Sequence, residues 1–235
     1  MSEILLFSGG CDSYIAWLKL GRPKVIHFTQ HSRYSKQEMV AVKNLCIKHP
    51  DLWANTTIIK LPFLRQFEHE DAWLPARNML FVTIAANYAD KIFLPCQRGE
   101  RDVEDRTEGF FSRMSSELSI QFRAKKIVDP TFWDETKADL VGWYMANYPT
   151  RLGNLRLTYS CFTGKSRRCG RCSSCFRLAT ALEYNHILAD NTWFSSNPFE
   201  WDGVHGYVQR LQEGKYEQRR AEQTIEVLKS KNILE

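Results

Sequence analysis

The sequence has no apolar run close to the ~18–20 residues that a membrane-spanning helix needs, and it has no internal repeat or low-complexity tract. No basic segment precedes the first apolar stretch, which argues against a secretory signal. Apolar residues make up 43% and charged residues 25% of the 235 positions, which excludes a disordered chain and a fibre. We expect a cytoplasmic protein without a membrane partner, built as one large domain or as a domain with an appendage.

A strong excess of one charge is also missing, because the formal net charge is only +5. Proteins that bind nucleic acid usually concentrate their basic residues in a patch or stripe. The densest basic cluster, residues 165–171, lies among cysteines, which indicates another use. An anionic small molecule such as ATP explains the charge as well as RNA does, so a nucleic-acid partner is not required.

Cysteines are sparse over most of the chain and crowded in one segment. Cys11, Cys46 and Cys96 are scattered. The other four fall within a short stretch and are Cys161, Cys169, Cys172 and Cys175. In a reducing compartment this cluster indicates a metal site rather than disulfides. Four thiolates satisfy tetrahedral Zn²⁺ and leave no open position, which makes such a zinc structural. An iron–sulfur cluster also uses four cysteines and is the competing interpretation.

Strands and helices alternate along most of the chain. The apolar runs predict strands at residues 3–7, 24–29, 56–61, 91–96 and 126–128, and the intervening patterns predict helices at 12–20, 36–48, 77–88, 110–122 and 137–146. This alternation predicts an α/β fold, with a Rossmann-like parallel sheet covered by helices on both faces. Such sheets bind ligands at the carboxyl ends of their strands.

The character of the chain changes after residue 156. We predict the cysteine loop, a helix at 175–185, an aromatic segment at 187–202 that wraps onto the core, and a charged, solvated helix at 213–231. We therefore divide the chain into an α/β domain at 1–156 and a zinc-binding loop with a helical C-terminal extension at 157–235.

A glycine-containing loop follows the first predicted strand and reads Ser8-Gly9-Gly10-Cys11-Asp12-Ser13. Its glycines let backbone N–H groups approach an anion closely, and the start of the next helix adds partial positive charge. Ser8 and Ser13 can donate hydrogen bonds to phosphate oxygens, whereas Asp12 would cap the helix or hold Mg²⁺. The loop lacks the lysine of a Walker A motif. A plain strand–turn–helix connection with a capping aspartate explains the same residues.

The loop resembles the S-G-G-x-D-S loop of the PP-loop ATP pyrophosphatases, which cleave ATP between its α and β phosphates and adenylate a substrate oxygen. Residues 157–177 resemble the C-terminal signature of the 7-cyano-7-deazaguanine synthase family in that superfamily, in which four cysteines bind zinc. The closing arginine, Arg177, comes one position earlier than in the family. Three shorter segments also match in order, namely Gln30-His31, Pro75-Ala76-Arg77-Asn78 and Thr136-Lys137-Ala138.

The resemblance implies that residues 1–156 form a PP-loop ATP-binding domain and that the cofactors are ATP, Mg²⁺ and Zn²⁺. The implied ATP-binding residues are Phe7, Ser8, Gly9, Gly10, Cys11, Asp12 and Ser13. The implied catalytic residues are Asp12, Lys137 and Arg77, of which the last two contact phosphate. Gln30 and Asn78 are implied substrate contacts, and the zinc ligands are the four clustered cysteines.

The match is weakest after the fourth predicted strand, where the family usually reads G-V-N-x-x-D-x-x-x-Y-P-D-C-R. In residues 95–107 an aspartate aligns, but the Tyr-Pro, Cys and Arg of that motif are missing. The arginines of this segment predict an anionic ligand held by bidentate contacts. We therefore add Arg98, Arg101 and Asp105 to the candidate substrate site. A solvated loop whose arginines pair with its own acidic residues explains the segment equally well.

The resemblance implies a ligase that converts 7-carboxy-7-deazaguanine and ammonia into 7-cyano-7-deazaguanine for queuosine biosynthesis, with a homodimer as the assembly. ATP would adenylate the carboxylate, ammonia would displace AMP to give the amide, and a second ATP would activate the amide for dehydration. Three alternatives stay open. They are a relative that uses another acid or stops at the amide, a tRNA thiolation enzyme of the same superfamily, and a non-enzymatic zinc module with a vestigial loop.

Overall fold

The computed structural model describes residues 1–98, 100 and 104–234. A five-stranded parallel sheet forms its centre, in the order β3-β2-β1-β4-β5. The strands are β1 (Glu3–Leu6), β2 (Lys24–Thr29), β3 (Thr56–Lys60), β4 (Lys91–Phe93) and β5 (Ile127–Asp129). The order reverses direction between β1 and β4, which places a ligand crevice at the carboxyl ends of these strands. The predicted α/β fold is confirmed.

Ten helices are described in the same parts of the chain. They are α1 (Cys11–Lys19), α2 (Ser35–Lys48), α3 (Pro50–Ala54), α4 (Arg77–Ala85), α5 (Glu108–Phe122), α6 (Lys137–Asn147), α7 (Leu152–Arg156), α8 (Ser173–Tyr184), α9 (Val204–Gln212) and α10 (Gln218–Ser230). Among these described residues, no helix is both long and apolar enough to cross a membrane.

Helices cover both faces of the sheet because alternate strand residues point in opposite directions. Leu5 and Val25 pack on one face in a core with residues of α1, α2, α6 and α8. Ile4 and Ile26 pack on the other face with residues of α4 and α5. β1 lies centrally and is buried from both sides, which fixes the position of the loop that follows it.

The cysteine segment belongs to the first of these cores. Tyr159, Cys161 and Trp193 share one continuous buried cluster with Leu5 of the sheet. The aromatic segment wraps onto the core as expected, since Trp193 is 2% and Phe194 1% exposed. The division between 1–156 and 157–235 stays a prediction, and this core crosses it.

The helix predicted over 213–231 is present as α10, which begins at residue 218 after a turn at Gly214 with a positive φ of 66°. The prediction that this helix is solvated was wrong. α10 buries Thr224, Val227 and Leu228, whose spacing of three and four residues places them on one helix face. Leu228 is fully buried in a third cluster with Phe176 of α8. Arg219 of the same helix pairs with Asp139 of α6.

Candidate functional site

The loop of residues 8–13 joins β1 to α1, where the sequence predicted it. The Gly10 N–H donates to Ser8 Oγ at 3.2 Å, and Ser13 Oγ donates to the Gly10 carbonyl at 3.0 Å. The Ser8 and Ser13 hydroxyl oxygens lie 3.2 Å apart. These contacts close the loop on itself at the N-terminus of α1, whose first-turn N–H groups have no partner within the helix.

Gly9 brings this loop against α2. Its φ is +76°, a left-handed conformation that favours glycine. A Cβ atom here would lie 2.9 Å from Val42 Cγ2 and 3.1 Å from the carbonyl oxygen of Glu38. Both the dihedral and the close approach therefore require glycine at position 9.

A cavity of about 430 Å³ opens above the loop, at the carboxyl ends of β1, β2 and β4. Its walls come from the loop, the strand ends, α2, α4 and the cysteine segment. They include Phe7, Ser8, Asp12, Ser13, Phe28, Gln30, Tyr34, Glu38, Trp73, Arg77, Asn78, Phe81, Asp105, Arg106, Lys137, Tyr159, Phe162 and Arg177. The structure thus brings together most of the predicted site residues. Gly9, Gly10 and Cys11 belong to the loop but do not contribute to the cavity wall.

Asp12 and Lys137 form an ion pair at the cavity wall, in which both carboxylate oxygens of Asp12 accept from Lys137 Nζ. Lys137 is the first residue of α6, where Thr136 and Asp139 form a reciprocal capping box that fixes the start of the helix. Asp12 does not cap α1, because the N-cap is Gly10 and has no side-chain hydrogen bond. The capping alternative for Asp12 is therefore wrong.

Arg77 and Asn78 begin α4 and reach the cavity from the side opposite α6. Arg77 Nη1 lies 3.5 Å from the hydroxyl oxygen of Tyr34. Asn78 is 4% and Gln30 is 3% exposed. Among the described residues, neither Asn78 Nδ2 nor Gln30 Oε1 has a hydrogen-bond partner. Buried amide groups are normally satisfied, so these two atoms indicate a place for a polar ligand.

The candidate substrate residues of the segment 95–107 do not all lie at the cavity. Arg98 forms an ion pair with Glu217, 119 residues away, and is absent from the cavity wall. Its guanidinium pairs within the fold and away from the cavity, and the substrate role expected of Arg98 stays a prediction. Arg101 lies outside the described residues. Asp105 does contribute to the wall.

Sequence reasoning predicted only part of an ionic cluster at the cavity. Glu100 pairs with Arg106 and, at 3.5 Å, with Arg177. Burial acts to raise the pKa of Glu100, but the charges of these two arginines and of Lys137 lower it to about 2. Arg106 meets the expectation of pairing inside its own segment. Arg177 is the last residue of the cysteine signature, and its place in that motif was the sequence signal for a role at this site.

The four clustered cysteines come together as predicted. Their Sγ atoms all lie within 4.8 Å of one another. The Cys169 and Cys175 sulfurs are 3.9 Å apart, close to the ~3.8 Å between two ligands of a tetrahedral Zn²⁺ with bonds of ~2.3 Å. Hydrogen bonds from Cys172 and Cys175 lower the pKa of Cys161, while its contact with Cys161 raises the pKa of Cys175. One cation bound by all four sulfurs would stabilise every thiolate at once, and the donor set fits a metal ion such as zinc.

The backbone around the cluster is tightly constrained. Gly170 has a φ of +74°, and a Cβ there would lie 1.8 Å from the Ser196 carbonyl oxygen. The N–H groups of Cys169 and Arg171 donate to the sulfurs of Cys161 and Cys169, at 3.3 Å and 3.2 Å. The Tyr159 N–H donates to the Gly9 carbonyl at 2.9 Å. The cysteine segment thus supports the loop directly.

Comparisons with known proteins find relatives of this chain. Residues 65–186 match the family model described as queuosine biosynthesis protein QueC. A protein from Methanobrevibacter smithii is 27% identical over 218 residues, which cover 77% of this chain and 92% of that protein. One from Methanocaldococcus jannaschii is 27% identical over 223 residues, 77% and 94% of the two chains. One from Pseudoalteromonas atlantica is 26% identical over 211 residues, 78% and 94%. Each of the three carries the name 7-cyano-7-deazaguanine synthase.

Proposed function

The chain belongs to the family of the queuosine biosynthesis protein QueC, and we propose that it is an ATP-dependent ligase that converts 7-carboxy-7-deazaguanine and ammonia into 7-cyano-7-deazaguanine. The names of its relatives support this activity. The observation that carries the proposal is the cavity in which the loop at α1 faces aromatic rings and unpartnered amide groups. Adenylation of a heterocyclic acid needs an anion site and a polar, ring-lined pocket side by side.

The loop supplies the anion site. N–H groups at the start of α1, together with the hydroxyl groups of Ser8 and Ser13, would bind the triphosphate of ATP. The Asp12 carboxylate is an oxygen ligand that suits Mg²⁺, and this ion would offset the charge that develops on departing pyrophosphate. Cys11 and the glycines contribute backbone and packing rather than side-chain chemistry.

Lys137 and Arg77 would bind further phosphate oxygens from opposite walls. The Lys137 ammonium is held at the cavity by Asp12. Phosphate oxygens compete for the same ammonium, so Lys137 can donate to the α-phosphate without a rearrangement of α6. Among the described residues, Arg77 has a single long contact, with the Tyr34 hydroxyl at 3.5 Å, which leaves its other planar donors for an anion.

The reaction needs no covalent nucleophile from the protein. A carboxylate oxygen of the substrate attacks the α-phosphorus, and pyrophosphate leaves. Ammonia then attacks the carbonyl carbon of the acyl adenylate, loses a proton and displaces AMP, which gives the amide. The amide oxygen attacks the α-phosphorus of a second ATP and pyrophosphate leaves; loss of AMP and two protons from the adenylated amide then gives the nitrile. The protein's contribution is to position the reactants and to stabilise charge.

The burial of Cys11, Cys46 and Cys96 argues against a tRNA thiolation enzyme. Sulfur transfer uses thiolates, and exposure together with a lowered pKa marks reactive cysteines. Cys11 and Cys96 are each 1% exposed, and burial raises the pKa of both to about 12. Burial also raises the pKa of Cys46. A relative that stops at the amide remains the second candidate, because residues 95–107 lack most of the family motif at that position.

Product analysis tests the proposal. The purified chain is incubated with Mg-ATP, ammonium and 7-carboxy-7-deazaguanine, and mass spectrometry follows base, AMP and pyrophosphate. We expect the nitrile with two AMP per product. We expect Lys137→Gln to lower kcat/KM by about 100-fold or more. Lys19→Gln, which also removes a partly buried, ion-paired lysine, is the matched control and should retain activity. Amide alone would support the second candidate, and no turnover of this base would refute the assignment of the substrate.

A further inference from the structure

Glu38 is an acidic side chain in the cavity that the reaction above does not use. It lies one turn into α2 and contributes to the cavity wall. In the described part of the chain, its carboxyl group has no hydrogen bond and no ion pair. The charge that acts on it most is that of Arg77, from α4. Glu38 is half-buried, and its carboxyl group can accept hydrogen bonds from a ligand in the cavity.

The other groups on the wall of this cavity suit a flat, polar heterocycle. The Phe28 and Phe81 rings stack with centroids 4.3 Å apart and an interplanar angle of 9°, and both contribute to the wall. The Tyr34 ring lies 6.4 Å from that of Phe162 on another side. Gln30 Oε1 and Asn78 Nδ2 lack partners among the described residues. Aromatic walls with a few convergent polar groups are typical of sites for planar ligands.

The hydrogen-bonding character of a carboxylate discriminates between the two heterocycles of the reaction. An ionised carboxylate only accepts hydrogen bonds, with two oxygens side by side. The pairing edge of adenine offers a donor beside an acceptor, and the acceptor would face a carboxylate oxygen unfavourably. The same edge of deazaguanine offers two adjacent donors, the ring N–H and the amino group. Only the second pattern complements a carboxylate.

We propose that Glu38 determines the base specificity of this site by accepting both donors of the deazaguanine pairing edge. This inference rests on the proposed function and extends it to a residue that selects the acid substrate against adenine-like bases. Burial raises the pKa of the Glu38 carboxyl to about 8. Two donors supplied by the base would stabilise the ionised form and offset that effect of burial. Arg77, on the facing helix, favours the same ionised form.

Binding measurements with paired ligands test this role. The full chain, loaded with α,β-methylene ATP, is titrated calorimetrically with 7-carboxy-7-deazaguanine and with the same base lacking its amino group. For the wild type we expect the amino-bearing base to bind about 10- to 100-fold more tightly. Glu38→Gln presents an amide NH₂ to one of the donors. We therefore expect it to lose about 10-fold or more in affinity for this base and less than about threefold for the other.

Two further variants make the test decisive. Glu38→Asp keeps two acceptor oxygens and should retain discrimination with weaker binding, whereas Glu226→Gln removes an exposed carboxylate of α10 and should change neither affinity. Binding of the ATP analogue shows that each variant is folded. Equal losses for both bases in Glu38→Gln, or unchanged discrimination, would overturn the role of Glu38 and leave the proposed function intact. A wild type that binds the ATP analogue but neither base would overturn both.

Discussion

Replacement of Glu38 by glutamine should remove a pH-dependent loss in the free energy of unfolding. Burial raises the pKa of the Glu38 carboxyl from 4.5 to about 8, and the charge of Arg77 lowers it only in part. The unfolded chain therefore loses this proton at lower pH than the folded chain does. The resulting contribution to stability is fully present below about pH 4.5 and is lost as the pH rises towards 8.

The magnitude follows from the shift. Each pKa unit corresponds to about 1.4 kcal/mol, and the folded group begins to ionise near pH 8. Between pH 6 and pH 8 the wild type should therefore lose about 2 kcal/mol of its free energy of unfolding through this residue. Glutamine has the same shape and no titration, so the variant should gain that amount relative to the wild type over the same range.

Urea unfolding of the ligand-free proteins at pH 6, 7 and 8, with zinc held constant, measures the difference. The exposed Glu226→Gln variant corrects for the loss of one acidic charge. We expect the stability of Glu38→Gln relative to this control to rise by about 2 kcal/mol from pH 6 to pH 8. Parallel pH curves for the two variants would refute the half-buried, unpartnered state of Glu38 on which this reasoning depends.

Three further predictions follow from the site. Cys175→Ser should abolish stoichiometric metal binding, measured by mass spectrometry of the metal, and should lower the free energy of unfolding by about 3 kcal/mol or more. Gly9→Ala should destabilise the chain by about 2 kcal/mol in urea unfolding and abolish binding of an ATP analogue, because its φ of +76° and its contact with α2 exclude a Cβ. Glu100→Gln should cost about 2–3 kcal/mol at neutral pH, because Arg106 loses its buried partner.

Two of these variants have a control in the chain, and the third has a pH dependence that can be checked. Cys46→Ser removes a buried cysteine outside the cluster and should keep the metal. Gly206→Ala lies in α9 with open space around the added methyl group and should change stability by less than about 1 kcal/mol. The stabilising effect of Glu100, whose pKa is lowered to about 2, should persist down to about pH 4.5 and fade below it. Metal retained in Cys175→Ser, or ATP-analogue binding retained in Gly9→Ala, would contradict the geometry.

The sequence predicted those parts of the fold in which local pattern and chemistry coincide. The loop between β1 and α1 and the four cysteines were found because short spacings bring their groups together. Alternating apolar segments sufficed for the parallel sheet, since every strand-to-helix crossover repeats the same pattern. Zinc, ATP and Mg²⁺ as cofactors, ammonia as a substrate and a homodimer as the assembly remain predictions.

Other features depend on contacts between distant parts of the chain. The partner of Arg98 could not be predicted, because Glu217 lies far along the sequence. α10 reads as solvated because charged residues separate the few apolar ones that it buries. Glu38 has no local motif, and its position becomes informative only when α2 packs beside the loop. Such residues were beyond reach because their roles arise from tertiary packing.

Transfer of oxygen-18 would test the central claim most directly. 7-carboxy-7-deazaguanine labelled in both carboxylate oxygens is incubated with the chain, Mg-ATP and ammonium, and the AMP is analysed by mass spectrometry. Attack of the carboxylate and then of the amide oxygen on the α-phosphorus predicts two AMP per nitrile, each carrying one labelled oxygen. Unlabelled AMP, or formation of ADP and phosphate in its place, would contradict adenylation of this acid by the chain.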